Sequence, residues 1–198
     1  MNADGTGTRR VTNTQHSDDR PSWSADGRWI VFAREGALYR VRSTGGTATR
    51  VGKGFGASAD PAYSPDGKLI AYDYRRPGYS IKEIFVMNAD GTGNHRLTDF
   101  RDVSTFPAWS PDGKTLAFQS SVYGGHNDVY TVPLAGGTPK RISRSNVEAI
   151  QPAWTADGSG ITFSRDGALV TITDGQEQAL TSGKNNDSAP AWRPVPPQ

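Results

Sequence analysis

Four aspartates recur at matching places in this chain, Asp26, Asp66, Asp112 and Asp157. Grouped carboxylates are what general acid–base catalysis or a divalent cation would require. Each of the four, however, is followed directly by glycine. An Asp-Gly pair after a short apolar segment is turn chemistry: the carboxylate accepts hydrogen bonds from the backbone ahead of it, and glycine takes the positive φ at which the chain reverses. The expectation is that all four are structural, and Asp4 and Asp90, each inside Asn-Ala-Asp-Gly, are read in the same way.

Aromatic and cationic side chains gather instead in two long segments, DYRRPGYSIK at 73–82 and QSSVYGGHN at 119–127. Tyr74, Arg75, Arg76, Tyr79, Tyr123 and His126 have the composition of interface anchors, and Arg75 and Arg76 could receive a carboxylate bidentately. One reading is a rim that recognises a protein or peptide partner; the other is a pair of ordinary solvated loops. A further acidic set, Asp18, Asp19, Asp60, Glu148 and Asp187, precedes the first strand of the successive repeats described below. It could place carboxylates near the mouth of a central channel; a cation bound there is one reading, but without ligand geometry the spacing assigns no metal.

Other chemistry finds little support. The three histidines, His16, His95 and His126, lie at no metal-ligand spacing, and neither a Gly-x-Ser-x-Gly elbow, a phosphate loop nor a His-Glu-x-x-His helix occurs. Cysteine is absent, which removes disulfides and thiolate catalysis together. No catalytic residue, metal ligand or cofactor is therefore assigned. Twenty-two basic against 20 acidic residues leave a net charge of +2, too small for a phosphate-neutralising surface, so nucleic acid is not expected. No apolar run approaches a membrane span, and MNADGTGTRR lacks the apolar core of a signal peptide.

The elements that must position these residues are written in a repeat. PSWSADGRWIVF, PAYSPDGKLIAY, PAWSPDGKTLAF and PAWTADGSGITF are near-copies, and PAWRP is a broken fifth. They begin at Pro21, Pro61, Pro107, Pro152 and Pro190, so successive copies stand 40, 46, 45 and 38 residues apart, the period of a four-stranded propeller blade. In each, a short strand A, an Asp-Gly turn and a strand B of alternating apolar residues are followed by strand C (Ala37–Arg42, Glu83–Asn88, Asp128–Pro133, Ala168–Thr173). Strand D comes after a glycine-rich turn (Thr49–Lys53, His95–Asp99, Lys140–Arg144, Gln178–Ser182). The fold class predicted is all-β: a single β-propeller domain over 1–198 with four complete antiparallel blades at about 21–60, 61–106, 107–151 and 152–189. The strand A aromatics Trp23, Tyr63, Trp109, Trp154 and Trp192 are expected to pack between blades, as are Phe32, Tyr72, Phe118 and Phe163 of strand B.

PAWSPDGKTLAF, together with IFVMNADGTGNHRLTD at 84–99, resembles the TolB-like β-propeller repeat, a WD-like blade, and the likeness runs along nearly the whole chain. The resemblance implies a periplasmic or otherwise extracytoplasmic propeller that binds partners without catalysis; TolB contacts a peptidoglycan-associated lipoprotein and the Tol machinery. It equally allows an accessory propeller of a hydrolase or peptidase system.

Two isolated terminal strands, Arg9–Asn13 and Ala189–Arg193, are expected to supply D and A of an incomplete closing blade formed by 1–20 and 190–198. Either further sequence completes that blade or its broken ends pair between chains in a self-associating ring.

Overall fold

The computed structural model describes residues 4–52, 57–121, 125–143 and 146–191. The chain builds four sheets, each of four antiparallel strands in chain order, and the second strand of each is buried on both faces rather than alternating, because a sheet packed on either side leaves neither face to solvent. The first comprises β1 (Asp19–Trp23), β2 (Trp29–Arg34), β3 (Ala37–Arg42) and β4 (Thr49–Val51). The second comprises β5 (Ala57–Tyr63), β6 (Leu69–Arg75), β7 (Lys82–Asn88) and β8 (His95–Arg96). The third is β9 (Ser104–Trp109), β10 (Thr115–Ser120), β11 (Asp128–Pro133) and β12 (Lys140–Arg141). The fourth is β13 (Ala149–Trp154), β14 (Gly160–Arg165), β15 (Ala168–Thr173) and β16 (Gln176–Ala179).

The strands β1, β5, β9 and β13 touch in succession and surround the channel. Between sheets lie three apolar seams: Val31 and Leu38 meet Ile70, Tyr72 and Met87; Ala71, Ile84 and Val86 meet Leu116, Phe118 and Val132; Ala117 and Val129 meet Ile161, Phe163 and Ile172. Each blade thus buries what its neighbour cannot cover alone. Phe118 and Phe163 are fully buried, as their repeat position predicted.

The repeated turn holds itself. In the third blade the Ser110 hydroxyl donates to Asp112 Oδ1 (2.6 Å), that oxygen accepts the Lys114 N–H (3.0 Å), and Ser110 Oγ accepts the Thr115 N–H (3.0 Å). Ser24 with Asp26, Ser64 with Asp66 and Thr155 with Asp157 repeat the pattern. Gly113, at φ +69°, lets the chain turn back.

Three sequence expectations change. Strand D is shorter than predicted in the second and third blades, because the Thr98 and Ser143 hydroxyls take the N–H groups of Ile84 and Val129 (2.9 Å each) and end the ladder there. Residues 9–13 and 189–191 form no strand, although Val11 packs against Ile30, Phe32 and Val41, Arg9 donates to the Ser43 and Thr44 carbonyls, and Ala189 bonds Gln151; Trp192 and Arg193 lie outside the described residues. Trp23 is 58% exposed, since among the described residues no strand covers that side of β1.

Candidate functional site

In an antiparallel blade, strands A and C begin and strands B and D end on one face, here called the upper face. The Asp-Gly turns of the lower face are alike and satisfied internally. The upper face carries two features that differ from blade to blade.

The first is the channel mouth. Proline has no N–H to give the ladder, and each copy's proline coincides with a β-bulge: register slips between Asp19 and Ser22, Ala59 and Ala62, Thr105 and Ala108, and Ile150 and Ala153. The residue before each proline takes positive φ: Arg20 (+56°), Asp60 (+47°), Phe106 (+55°) and Gln151 (+55°), followed by Ala189 (+51°) ahead of Pro190. These residues and their prolines line a cavity of about 250 Å³. Arg20 Nη1 lies 3.0 Å from Asp60 Oδ1, and its guanidinium sits 4.6 Å from the centre of the Phe106 ring. The Gln119 side-chain carbonyl accepts the Gln151 N–H (2.8 Å), and the Gln151 side chain accepts the Ala189 N–H (3.0 Å).

Of the acidic residues expected at this mouth, only Asp60 lines it. Asp19 is exposed and accepts the Ser17 hydroxyl, Glu148 accepts the Asn127 side chain, and Asp187 ties its backbone to Gly167 and Ser164. The bulge places one residue per blade at the mouth, and Asp19, Glu148 and Asp187 are one, three and two positions away from it. Asp18 is likewise engaged, by Nε and Nη2 of Arg34. Arg20, Phe106 and Gln151 escaped the sequence reading, although the position immediately before each repeated proline identifies them.

Behind Asp60 stands Asp73, a β6 residue with no exposed surface, whose Oδ2 is 2.6 Å from Lys82 Nζ. Burial, then the charge of Asp73, pushes the Asp60 carboxyl up to about 6, against the opposing pull of Arg20 and Lys82. Burial also raises Asp73, with Lys82 resisting. Among the described residues there is no group of three or more acidic or histidine side chains suited to holding a metal ion.

The second feature is a cavity of about 400 Å³ at the edge of the second blade, lined by Tyr74, Arg76, Tyr79, Ile81, Glu83, Phe85, Arg96, Asp99 and Arg101. The long segment 73–82 reduces to a loop at 76–81, because β6 runs on to Arg75 and β7 begins at Lys82. Tyr74, Arg76 and Tyr79 share this lining. Arg75 is exposed at the end of β6, outside the cavity lining, and His126 is half-buried before β11 in the next blade. Tyr123 lies outside the described residues. Arg96, Asp99 and Arg101 were missed, for they lie in and just after the D strand, about twenty residues on, and only the blade's closure brings them to the loop.

Among the described residues no helix is long and apolar enough to cross a membrane. The TolB beta propeller domain family matches residues 51–196. The Tol-Pal system protein TolB of Francisella tularensis subsp. mediasiatica is 32% identical over 189 residues, covering 88% of this chain and 42% of that protein. An uncharacterised protein of Agrobacterium fabrum is 28% identical, covering 94% and 50% respectively. The crystal structure of TolB from Acinetobacter baumannii superposes with a TM-score of 0.77 at 23% identity, covering 90% of this chain and 47% of that one, and supports the fold. The chain spans about half the length of the curated relatives it matches. With four sheets in propeller order and the family match extending over most of them, the chain belongs to the TolB β-propeller family.

Proposed function

We propose that this is a non-catalytic, extracytoplasmic binding propeller that receives a protein or peptide partner on its upper face. The observation that carries the reading is the contrast between the two faces. The turn between strands A and B of every blade, on the lower face, repeats one self-satisfied hydrogen-bond pattern, whereas the upper face presents different side chains blade by blade, Arg20, Asp60, Phe106 and Gln151 at the centre and Tyr74, Arg76, Tyr79 and Arg101 at the edge. Variation on a rigid repeat is how propellers and other scaffolds carry recognition. The location is taken from the family. The test is capture from an envelope extract by the intact chain and by a variant with residues 76–81 replaced by a short glycine turn. Loss of a captured partner in the variant supports the reading; an unchanged set of partners contradicts it.

Trp23 favours a second element of the same function. The Trp109 and Trp154 indoles each donate to the neighbouring blade, and the exposed Trp23 ring has the same place in the repeat with no neighbouring blade among the described residues. We infer that this face packs against a further blade, supplied either by additional sequence or by a second copy, and in the second case solution mass exceeds the monomer. Sedimentation showing a monomer at all concentrations would contradict self-association.

A further inference from the structure

The charges around the cavity of the second blade are unevenly satisfied. Glu83 is buried and fully engaged: Oε1 accepts the Arg101 N–H (2.9 Å), Oε2 accepts the Thr98 hydroxyl, and that hydroxyl oxygen accepts the Ile84 N–H (2.9 Å). Asp99 pairs with Arg96 at 2.9 Å. The guanidinium groups of Arg76 and Arg101 line the same cavity and have no ion pair or hydrogen bond among the described residues.

The placement of Arg101 is built. Its φ of +58° is a conformation that side-chain-bearing residues adopt at a cost, and the buried Glu83 holds its N–H in place. The third blade has the same clamp, in which the Ser143 hydroxyl donates to Asp128 Oδ1 (2.8 Å). There, however, Arg141, the counterpart of Arg96, sits on Asp128 Oδ2 at 2.5 Å and the arrangement closes on itself. The second blade instead turns two unpaired cations towards an aromatic wall. Tyr74 and Phe85 meet edge to face with ring centres 5.1 Å apart, Ile81 adds an aliphatic surface, and Tyr79 is 60% exposed.

We propose that this cavity binds an acidic peptide segment carrying an aromatic side chain. The ring packs against Tyr74, Tyr79 and Phe85, and an adjacent carboxylate is received by Arg76 and Arg101. The inference rests on the upper face being the partner face and specifies what that partner offers. Charge complementarity selects the carboxylate, because a guanidinium accommodates one through two parallel N–H donors. A volume of about 400 Å³ holds one or two side chains, which suits a peptide anchor. A chain net charge of only +2 gives no comparable reason for nucleic acid.

Fluorescence anisotropy with labelled short peptides tests this on the full chain. A peptide centred on Asp-Phe-Glu is compared with its Asn-Phe-Gln and Lys-Phe-Lys counterparts, each with and without inorganic phosphate as competitor. The acidic peptide should bind most tightly. Arg76→Gln with Arg101→Gln should weaken it roughly tenfold or more, since hydrogen bonds to charged groups are strong, and Tyr79→Ser should weaken all three peptides alike. Unfolding midpoints should not move, as Arg76, Tyr79 and Arg101 are exposed. Equal binding of the acidic and neutral peptides, unchanged binding in the double variant, or complete displacement by phosphate at equimolar concentration would overturn the ligand class. If loop replacement abolishes partner capture while the acidic peptide shows no preference, the upper face stands and only the ligand class fails.

Discussion

The indole N–H of Trp109 donates to the carbonyl of Ala62 at 2.9 Å, across the seam between the second and third blades, and Trp154 repeats the bond to Ala108 at 3.2 Å. A ring at strand A therefore does more than fill space, since it fixes one blade's height against the next. Replacing Trp109 by Phe leaves a half-buried carbonyl without its donor and should cost about 1 kcal/mol in urea unfolding. Trp23→Phe, with no inter-blade bond among the described residues to lose, should change stability by less than about 0.5 kcal/mol. Equal costs at the two positions would show that the seam bond contributes nothing.

Ser110 is the hub of its turn, donating to Asp112 and accepting from Thr115 while almost fully buried. Ser110→Ala strands the Thr115 N–H and should lower stability by about 1–2 kcal/mol. A variant as stable as the parent would mean that the turn forms without its side-chain bonds.

Asp60 makes a signed prediction about pH. Its folded-state value, raised to about 6 by burial and by Asp73, exceeds that of an unfolded aspartate near 3.9. The folded chain thus holds a proton that the unfolded chain releases, and stability falls as pH climbs from about 4 to about 6. The fall is on the order of 2–3 kcal/mol before the opposing attraction of Arg20 and Lys82 changes with it. Asp18, Asp26, Asp66 and Asp112 act oppositely: hydrogen bonds to Arg34, Ser24, Ser64 and Ser110 hold them below the ordinary value, and their contributions vanish as they protonate at lower pH. Asp60→Asn isolates the first effect. Thermal unfolding midpoints of parent and variant should converge near pH 4 and separate towards pH 7, with the parent falling relative to the variant. Parallel profiles would contradict the assignment.

What was legible in the sequence was whatever local chemistry decides. The repeat fixed the C strands almost to the residue, and Ser-x-Asp-Gly specified the turns whose aspartates it also explained. The D strands were overrun because a Thr98 or Ser143 hydroxyl competing for a backbone N–H leaves no periodicity to read. Asp73 resembled a loop residue but lies opposite Ala59 inside the sheet, since β6 continues past it to Arg75. The bulge before each proline redirects one side chain into the channel, so acidic residues one to three positions away pointed to the mouth without reaching it. The edge cavity unites residues from 74–85 with others at 96–101, a proximity that exists only once β7 and β8 have paired.

The clamp beneath that cavity gives a prediction separable from ligand contact. Glu83→Gln keeps the shape but weakens the acceptor of the Arg101 N–H and Thr98 hydroxyl. Amide exchange at Arg101 should quicken by roughly tenfold, in line with the loss of a hydrogen bond to a charged group, while exchange at Val129 in the next blade stays unchanged. Unaltered exchange at Arg101 would show that its positive φ is held by something other than Glu83.

Hydrogen exchange of the whole chain with and without its captured partner tests the central claim most directly. Binding on the upper face predicts slowed exchange at 74–83 and 96–101, with any further protection at the mouth around Arg20, Asp60 and Phe106. Protection confined to the Asp-Gly turns at 24–28, 64–68, 110–114 and 155–159, with none at 74–83 or 96–101, would place the partner on the opposite face and contradict the account.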